Sequence, residues 1–297
     1  MKTIDLFCGI GGLSLGFQQA GFNIVSSYDF WDKAVQVYAA NFSHPVVQFD
    51  LSDDKTASKM ISEYSPDIII GGPPCQNFSS AGQRIEGEKA NLTVSFSNIV
   101  STVKPKWFVM ENVERASSSV AYESARKIFK NAGYGLSENV LDASYYGVPQ
   151  KRKRFFCVGK LGEQDGVIDL EEGKADRPMT VRDYFGEMDF DHYYRHPRSY
   201  ARRAIFSVDE PSPTIRGVNR PISDNYVRHE GDTADPALVS PLTYNQRARI
   251  QTFPDDFKWL GSKTNIEQMV GNAVPVNLAT HVAVKIRDYE KSSSKCQ

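Results

Sequence analysis

Across residues 1–160, short β-branched or aromatic runs alternate with amphipathic stretches, a rhythm that restricts the chain to βαβ units built on a parallel sheet. The apolar runs lie at residues 3–7, 24–28, 46–49, 68–70, 107–110 and 155–158. Helical patterns occupy residues 13–20, closed by Gly21 as a C-cap, and about 33–41. From about residue 162 the rhythm fails. Residues 162–240 carry many prolines, arginines and tyrosines without periodicity, which predicts a smaller irregular domain. A helical signature returns at 243–251, residues 277–289 read as a closing amphipathic helix, and Ser292-Ser293-Ser294-Lys295 as a frayed tail. Parallel sheets place their chemistry at the carboxyl ends of strands, so the residues directly after each run carry the search for a site.

Four cysteines (Cys8, Cys75, Cys157 and Cys296) are widely spaced, with no C-x-x-C pair. That argues against a zinc site or a disulfide scaffold and for a reducing compartment. No run approaches the roughly 20 apolar residues that span a bilayer. The opening Met1-Lys2-Thr3-Ile4-Asp5 meets an acid too soon for a signal peptide, so the expected location is cytoplasmic. A net charge of −1 gives no global attraction to nucleic acid; only a local asymmetry could supply one.

After the first run, Phe7-Cys8-Gly9-Ile10-Gly11-Gly12 places glycines between a strand and a helix, where the backbone can turn tightly and a ligand can approach it. The pattern is looser than G-x-G-x-x-G and is weak alone. Asp29 ends the next run, about 20 residues on, where a carboxylate can accept bonds from a ribose diol. Asp50 follows the third, where an acid could accept from an adenine amino group. Each acid could equally be a solvated loop residue or a helix cap. Together they favour an adenosyl or dinucleotide ligand.

After the fourth run comes Gly71-Gly72-Pro73-Pro74-Cys75-Gln76, a lone cysteine in a turn whose prolines limit where its sulfur points. A buried structural cysteine is the bland alternative to a nucleophile.

Taken together, the cysteine turn and the glycine turn resemble the DNA (cytosine-5)-methyltransferases. Ordered words carry the resemblance: residues 5–17, 71–76, Glu111-Asn112-Val113, Gln150-Lys151-Arg152-Lys153-Arg154, 243–254 and 268–275. It implies a Rossmann-like S-adenosylmethionine-dependent domain of residues 1–161 and 264–297, and a target-recognition domain of 162–263 with its hinge helix. By the same resemblance Phe7 faces the adenine and Asp29 binds the ribose. Phe30 covers the ring and Asp50 reads the amino group. Gly9, Gly11, Gly12 and Pro73 line the cofactor, and Asn272 and Val274 return to complete its pocket. Members more often carry Glu than Asp at the position of Asp29. No metal is implied.

The chemistry suits these residues. Cytosine C5 is a poor nucleophile until a thiolate adds at C6, the role of Cys75. Electron density then moves to N3 and O2. The resemblance gives Glu111 the N3 and exocyclic amine contact, Arg154 the O2 contact, and Arg152 a loop or phosphate. The target is buried in a duplex and must be flipped out. Residues 76–84 read as a closing loop, with Gln76, Ser79 and Arg84 facing DNA.

Between His192 and His229 lie seven arginines, no lysine and three acids, a local balance of +4. Arginine forks bind guanine and phosphate; surface salt bridges are the alternative. Within Pro211–Gly217, Thr214 and Arg216 are the expected DNA contacts, and Arg220 joins them. Gln246 stands where relatives carry Glu, which puts the usual ion pair there in doubt. The chain is expected to act as a monomer on double-stranded DNA, in a bacterial or phage modification system with a possible cognate endonuclease. Methylation of RNA by the same fold, and a catalytically silent DNA-binding member, are the alternatives.

Overall fold

The computed structural model describes residues 1–74, 92–199 and 201–293. The chain divides into two compact units, Met1–Leu141 with Lys153–Glu172 and Ala279–Gln297, and Asp142–Arg152 with Gly173–Leu278.

In the first unit, strands β1 (Lys2–Leu6), β2 (Asn23–Asp29), β3 (Val46–Gln48), β4 (Ile68–Gly71), β5 (Trp107–Val113) and β6 (Tyr134–Asp142) share a seven-stranded sheet with β8 (Lys153–Leu161). The two-residue β7 (Gln150–Lys151) lies outside it. The order is β3-β2-β1-β4-β5-β8-β6, parallel from β3 to β5, with β8 antiparallel to β5. Helices α1 (Gly12–Gln19), α2 (Asp32–Asn41), α3 (Asp54–Ser62), α4 (Leu92–Val103) and α5 (Val120–Asn131) make the crossovers. Central strands of such a sheet are covered on both faces, which is why β4 is apolar throughout and fully buried. Phe96, Phe108 and Phe129 pack in the core, the last two stacked at 4.1 Å between ring centroids.

Four elements of this unit, α3, α4, α5 and β6, go beyond the runs and helical patterns assigned from the sequence. The α4 segment is rich in Ser, Thr and Val, which favour a helix weakly; burial of Phe96, Ile99 and Val100 overrides propensity. The α5 segment is capped by Ser119, whose hydroxyl accepts from the Tyr122 N–H at 3.1 Å. Strand β6 carries Ser137-Glu138-Asn139 mid-run, which an edge strand tolerates.

The second unit is irregular, as the failed periodicity implies. It holds α6 (Val181–Phe185), an antiparallel pair β9 (His192–Tyr194) and β10 (Ile205–Ser207), and β11 (Ser212–Pro213) parallel to β7. Helices α7 (Tyr244–Ile250) and α8 (Lys263–Asn272) follow, then the start of α9 (Val276–Ser293). One apolar cluster joins Tyr194, Ala204 and Ile205, and further buried side chains such as Ile250, Phe253, Met269 and Val270 come from α7, the loop after it and α8. Buried polar groups add to this packing. The buried Asp232 carboxylate accepts from the N–H groups of Ala204, Ile205 and His229 and from the Tyr226 hydroxyl. Gln246 Oε1 accepts from the Thr243 N–H at 2.7 Å while its own N–H donates to Thr243 Oγ1. That capping box needs an acceptor and no charge, so the neutral amide serves α7.

The division differs from the expected 1–161 with 264–297 and 162–263 in three places. Residues 142–152 and 264–278 pack with the second unit, and 162–172 with the first. Side chains account for it: Arg152 donates to the carbonyls of Ile215, Gly271 and Ala273, whereas the Ile168 N–H donates to Ser137 Oγ and the His281 ring bonds the Leu170 carbonyl.

Candidate active site

In the first unit the strand order reverses direction between β1 and β4, so the loops after these two strands diverge and open a crevice at their carboxyl ends. The glycine turn follows β1 and the cysteine turn follows β4.

The glycine turn is conformationally unusual. Phe7 has φ 56°, rare for a residue with a side chain, and Gly9 and Gly11 have φ 54° and 92°. A Cβ on Gly9 would meet nothing within 4 Å, whereas one on Gly11 would strike the Phe42 ring at 2.4 Å. The turn therefore presents open backbone at Gly9 and packed backbone at Gly11. Gly12 opens α1 and is buried.

Asp29 ties this turn to the end of β2. One carboxylate oxygen accepts from the Gly9 N–H at 2.8 Å and the other from the Trp31 N–H at 2.8 Å. Burial raises its pKa, and these backbone bonds oppose the rise. Beside it Phe30 is 68% exposed, an aromatic ring that no core claims. Asp50 is exposed two residues beyond β3 and accepts from the Ser52 N–H at 2.9 Å.

The chain after β4 approaches the end of β5 closely. A Cβ on Gly72 would lie 3.0 Å from Glu111 Oε2, so the Gly72 backbone passes directly beside that carboxylate. Asn112 is buried; its Nδ2 donates to the Pro73 carbonyl at 2.9 Å and its Oδ1 accepts from the Val113 N–H at 2.8 Å. The Nδ2 bond ties the start of the cysteine turn to β5, and the Oδ1 bond fixes the amide's orientation on its own strand. Because β8 runs antiparallel to β5, its beginning lies beside the end of β5, and Arg154 Nε reaches Glu111 Oε1 at 2.9 Å. Burial lowers the Arg154 pKa, opposed by the Glu111 charge.

Cys75, Gln76, Ser79 and Arg84 lie outside the described residues. Two other cysteines are poor nucleophiles: burial pushes the Cys8 and Cys157 thiols well above their ordinary pKa.

The remaining candidates belong to the second unit. Gln150 and Arg152 are buried and Lys151 and Lys153 exposed, the alternation expected of an extended run. Arg152 is 1% exposed, and its guanidinium donates to the backbone carbonyls of Ile215, Gly271 and Ala273. Gln150 Oε1 accepts from the Ile215 N–H at 2.8 Å and Arg152 donates to the Ile215 carbonyl at 2.9 Å. The pair grips Ile215 by both backbone groups and fixes Thr214 and Arg216 on either side. Thr214 Oγ1 donates to the Lys151 carbonyl at 2.7 Å, and Arg216 donates to the His196 carbonyl. Arg220 is exposed. Asn272 ends α8 exposed, accepting from Gln268 at 3.2 Å, and Val274 is buried.

Of the seven arginines between His192 and His229, Arg203 pairs with Glu210. Among the described residues no acid lies within ion-pair distance of Arg195, Arg198, Arg202, Arg216, Arg220 or Arg228. Burial and the charges of Arg216 and Arg198 push the Arg195 pKa down to about 10. The salt-bridge alternative therefore holds for one arginine of the set. Also among the described residues, no cluster of His, Cys, Asp and Glu could hold a metal ion, and no helix is long and apolar enough to cross a membrane.

The model of the C-5 cytosine-specific DNA methylase family matches residues 1–288. The chain belongs to this family. As a DNA (cytosine-5)-methyltransferase it has strong relatives. M.HindV, a Type II methyltransferase of Haemophilus influenzae, is 53% identical over 297 residues, covering 98% of each chain. M.HgiDI, a Type II methyltransferase of Herpetosiphon aurantiacus, is 54% identical over 295 residues, covering 97% of this chain and 95% of that one. Among solved structures, the S. pombe Dnmt2 methyltransferase matches with a TM-score of 0.72 at 19% identity, over 97% of this chain and 98% of that one, a likeness of fold.

Within this methylase the sequence pointed to Glu111 and Arg154 separately, and the structure joins them. It missed Asn112 as a clamp, although a buried amide between a glutamate and a valine at a strand end was the available signal. Asn112→Ala is expected to lower methyl transfer by about 100-fold, the scale of a misplaced reacting group. Cofactor affinity, measured by calorimetry on the same variant, should stay unchanged.

Proposed function

We propose that this methylase transfers a methyl group from S-adenosylmethionine to C5 of a cytosine flipped out of a specific DNA sequence, through covalent addition of Cys75 to C6. The observation that carries the reading is the ion pair between buried Glu111 and half-buried Arg154, with Glu111 set directly beside the backbone that leads into Cys75. A carboxyl and a guanidinium on adjacent strands match the N3 and O2 edge of a cytosine, where charge gathers as the thiolate adds.

In this account Cys75 attacks C6, Glu111 hydrogen-bonds N3 and the exocyclic amine, and Arg154 stabilises the density on O2. Glu111 is ion-paired with Arg154, so it takes up a proton from solvent as the base arrives, hands it to N3 while the thiolate adds, and recovers it when Cys75 leaves. Loss of the C5 proton then expels Cys75. Asn112 keeps the cysteine turn in register throughout. The cofactor supplies the methyl group on its sulfonium. Residues of the first unit fit such a ligand: open backbone at Gly9, Asp29 at the strand end with lone pairs left after its two backbone bonds, and the exposed Phe30 ring. Asp50 is exposed, and with Oδ1 accepting from the Ser52 N–H its Oδ2 is the oxygen proposed for the adenine amino group.

Duplex DNA is the proposed partner of the second unit, through arginines without acidic partners. Gln76, Ser79 and Arg84 are proposed to close over the flipped nucleotide. Like the Type II methyltransferases it is similar to, the protein is proposed to act as the modification half of a restriction system, as a monomer. Arg198→Ala and Arg220→Ala should each weaken DNA binding and reduce the salt slope of the association constant by about 1. Fluorescence anisotropy across a salt series reads this directly; a slope unchanged by both variants would place the DNA elsewhere.

Incubation with a mixed-sequence duplex carrying 5-fluorocytosine tests the covalent step, because fluorine at C5 cannot leave as a proton does. A protein–DNA adduct stable to denaturing electrophoresis is expected with cofactor present. Its absence, with cofactor binding intact, contradicts the addition of Cys75 to C6.

A further inference from the structure

Beneath the glycine turn, polar side chains of the first unit form a buried hydrogen-bonded chain that the chemistry above leaves unused. Ser14 Oγ donates to Asp5 Oδ2 at 2.6 Å, and the Tyr38 hydroxyl donates to Ser14 Oγ at 2.6 Å. The Tyr38 oxygen in turn meets Ser27 Oγ at 2.7 Å and His44 Nε2 at 2.8 Å. Asp5, Ser14, Ser27 and Tyr38 are all at 0% exposure, and half-buried His44 ends the chain nearest solvent. Asp5 Oδ1 is buried with no hydrogen-bond partner among the described residues. A fully buried carboxylate with one oxygen unanswered is costly in any protein.

Donor counting allows two states. With Asp5 ionised, the single Ser14 proton points to Asp5 and the single Tyr38 proton to Ser14, so the Tyr38 oxygen accepts from Ser27 and from His44 Nε2–H. With Asp5 protonated on Oδ2, each link from Asp5 to His44 reverses, and Tyr38 donates to a bare His44 Nε2. Three hydrogen-bond reversals therefore carry a proton between Asp5 and His44, from which the other ring nitrogen can pass it to water.

The groups facing Asp5 favour the protonated state. Cys8 and Asp29 are its charged or titratable neighbours beyond Tyr38, and β4, whose Ile70 pairs with Asp5, brings only apolar side chains and glycine. Burial pushes the Asp5 carboxyl up to about 8, the Ser14 bond opposing and Asp29 adding to the rise. Burial pushes His44 down. Burial of the carboxyl and its unanswered Oδ1 thus both favour the protonated form of Asp5.

A sulfonium cofactor and its demethylated product share adenine, ribose and amino-acid groups and differ by one positive charge. We propose that Asp5 is the residue by which this site tells the two apart: the cation drives the Asp5 proton out through Ser14, Tyr38 and His44, leaving a carboxylate buried beneath the glycine turn to attract it, and the neutral thioether does not. The proposal rests on the reading of the glycine turn as the cofactor site. Asp29 is retained in the Asp5→Asn variant, so its attraction for the cation is carried by both proteins and drops out when variant and wild type are compared.

Isothermal titration calorimetry of the whole protein, in buffers of different ionisation enthalpy at pH 7, tests this with S-adenosylmethionine and S-adenosylhomocysteine as the probes. The sulfonium ligand should release roughly one proton more than the thioether. The ratio of their affinities should rise with pH, by at most about tenfold per unit, and level off above the free Asp5 value of about 8. The sign follows from linkage: a ligand that prefers ionised Asp5 gains affinity as pH rises to that value. Asp5→Asn should abolish both the excess release and the slope, while ionisation of the ligands' own ammonium groups persists in the variant and is subtracted. Should Asp5→Asn fail to fold, the wild-type measurement decides alone. Equal proton release by the two ligands, or a ratio independent of pH, overturns the proposal. Binding of neither ligand overturns the cofactor reading and this proposal with it, an outcome distinct from the first.

Discussion

Cys75→Ser is expected to lower methyl transfer by roughly 10,000-fold or more, the scale on which removal of an enzyme's nucleophile acts. Serine keeps the size and turn compatibility of the side chain but is a far weaker nucleophile at neutral pH. Cofactor and DNA affinity should remain within a few-fold of wild type, because the change spares the glycine turn and the arginine set. The alternatives are few. Cys8 and Cys157 are buried with thiols pushed well above their ordinary pKa, which leaves no substitute nucleophile among the described cysteines. A Cys75→Ser protein that methylated DNA at the wild-type rate would rule out the covalent route.

Arg152→Met is expected to destabilise the second unit by about 3–5 kcal/mol, because three backbone carbonyls lose their donor at a cost of about 1–3 kcal/mol for each one left buried and unsatisfied. Methionine fills similar length but donates nothing, so the carbonyls of Ile215, Gly271 and Ala273 lose the guanidinium hydrogens at 2.9 Å. The loss also frees the 214–216 segment that Gln150 would then hold by one bond at Ile215. Differential scanning calorimetry should show the corresponding transition several degrees lower. If Arg152 served chiefly as a phosphate contact, the transition would stay in place and only the salt dependence of DNA binding would change.

These two cases also mark what the sequence could convey. The sheet was legible because strands such as Ile68–Gly71 are covered on both faces and read as unbroken apolar runs. The site words were legible because glycine, proline and a lone cysteine punctuate a strand end in few ways. Position in the sequence could not tell Arg152 from Arg154, two residues apart on one extended run. One serves backbone carbonyls of the second unit, and the other reaches Glu111 only because β8 runs antiparallel to β5. Nor could it reveal the Asp5–Ser14–Tyr38–His44 chain, whose members are separated by 39 positions and share no motif until α1 and α2 pack over β1 and β2. Long-range polar contacts leave no periodic trace. The edge strand Tyr134–Asp142 failed for a related reason, since its polar centre is permitted only by its place at the end of the sheet.

The most direct test of the central claim is bisulfite sequencing of mixed-sequence duplex DNA incubated with the protein and S-adenosylmethionine, with Cys75→Ser run in parallel. The account predicts conversion-resistant cytosines within one short sequence motif for the wild type and none for the variant. Full conversion of every cytosine by a wild-type protein that demonstrably binds the cofactor would contradict it.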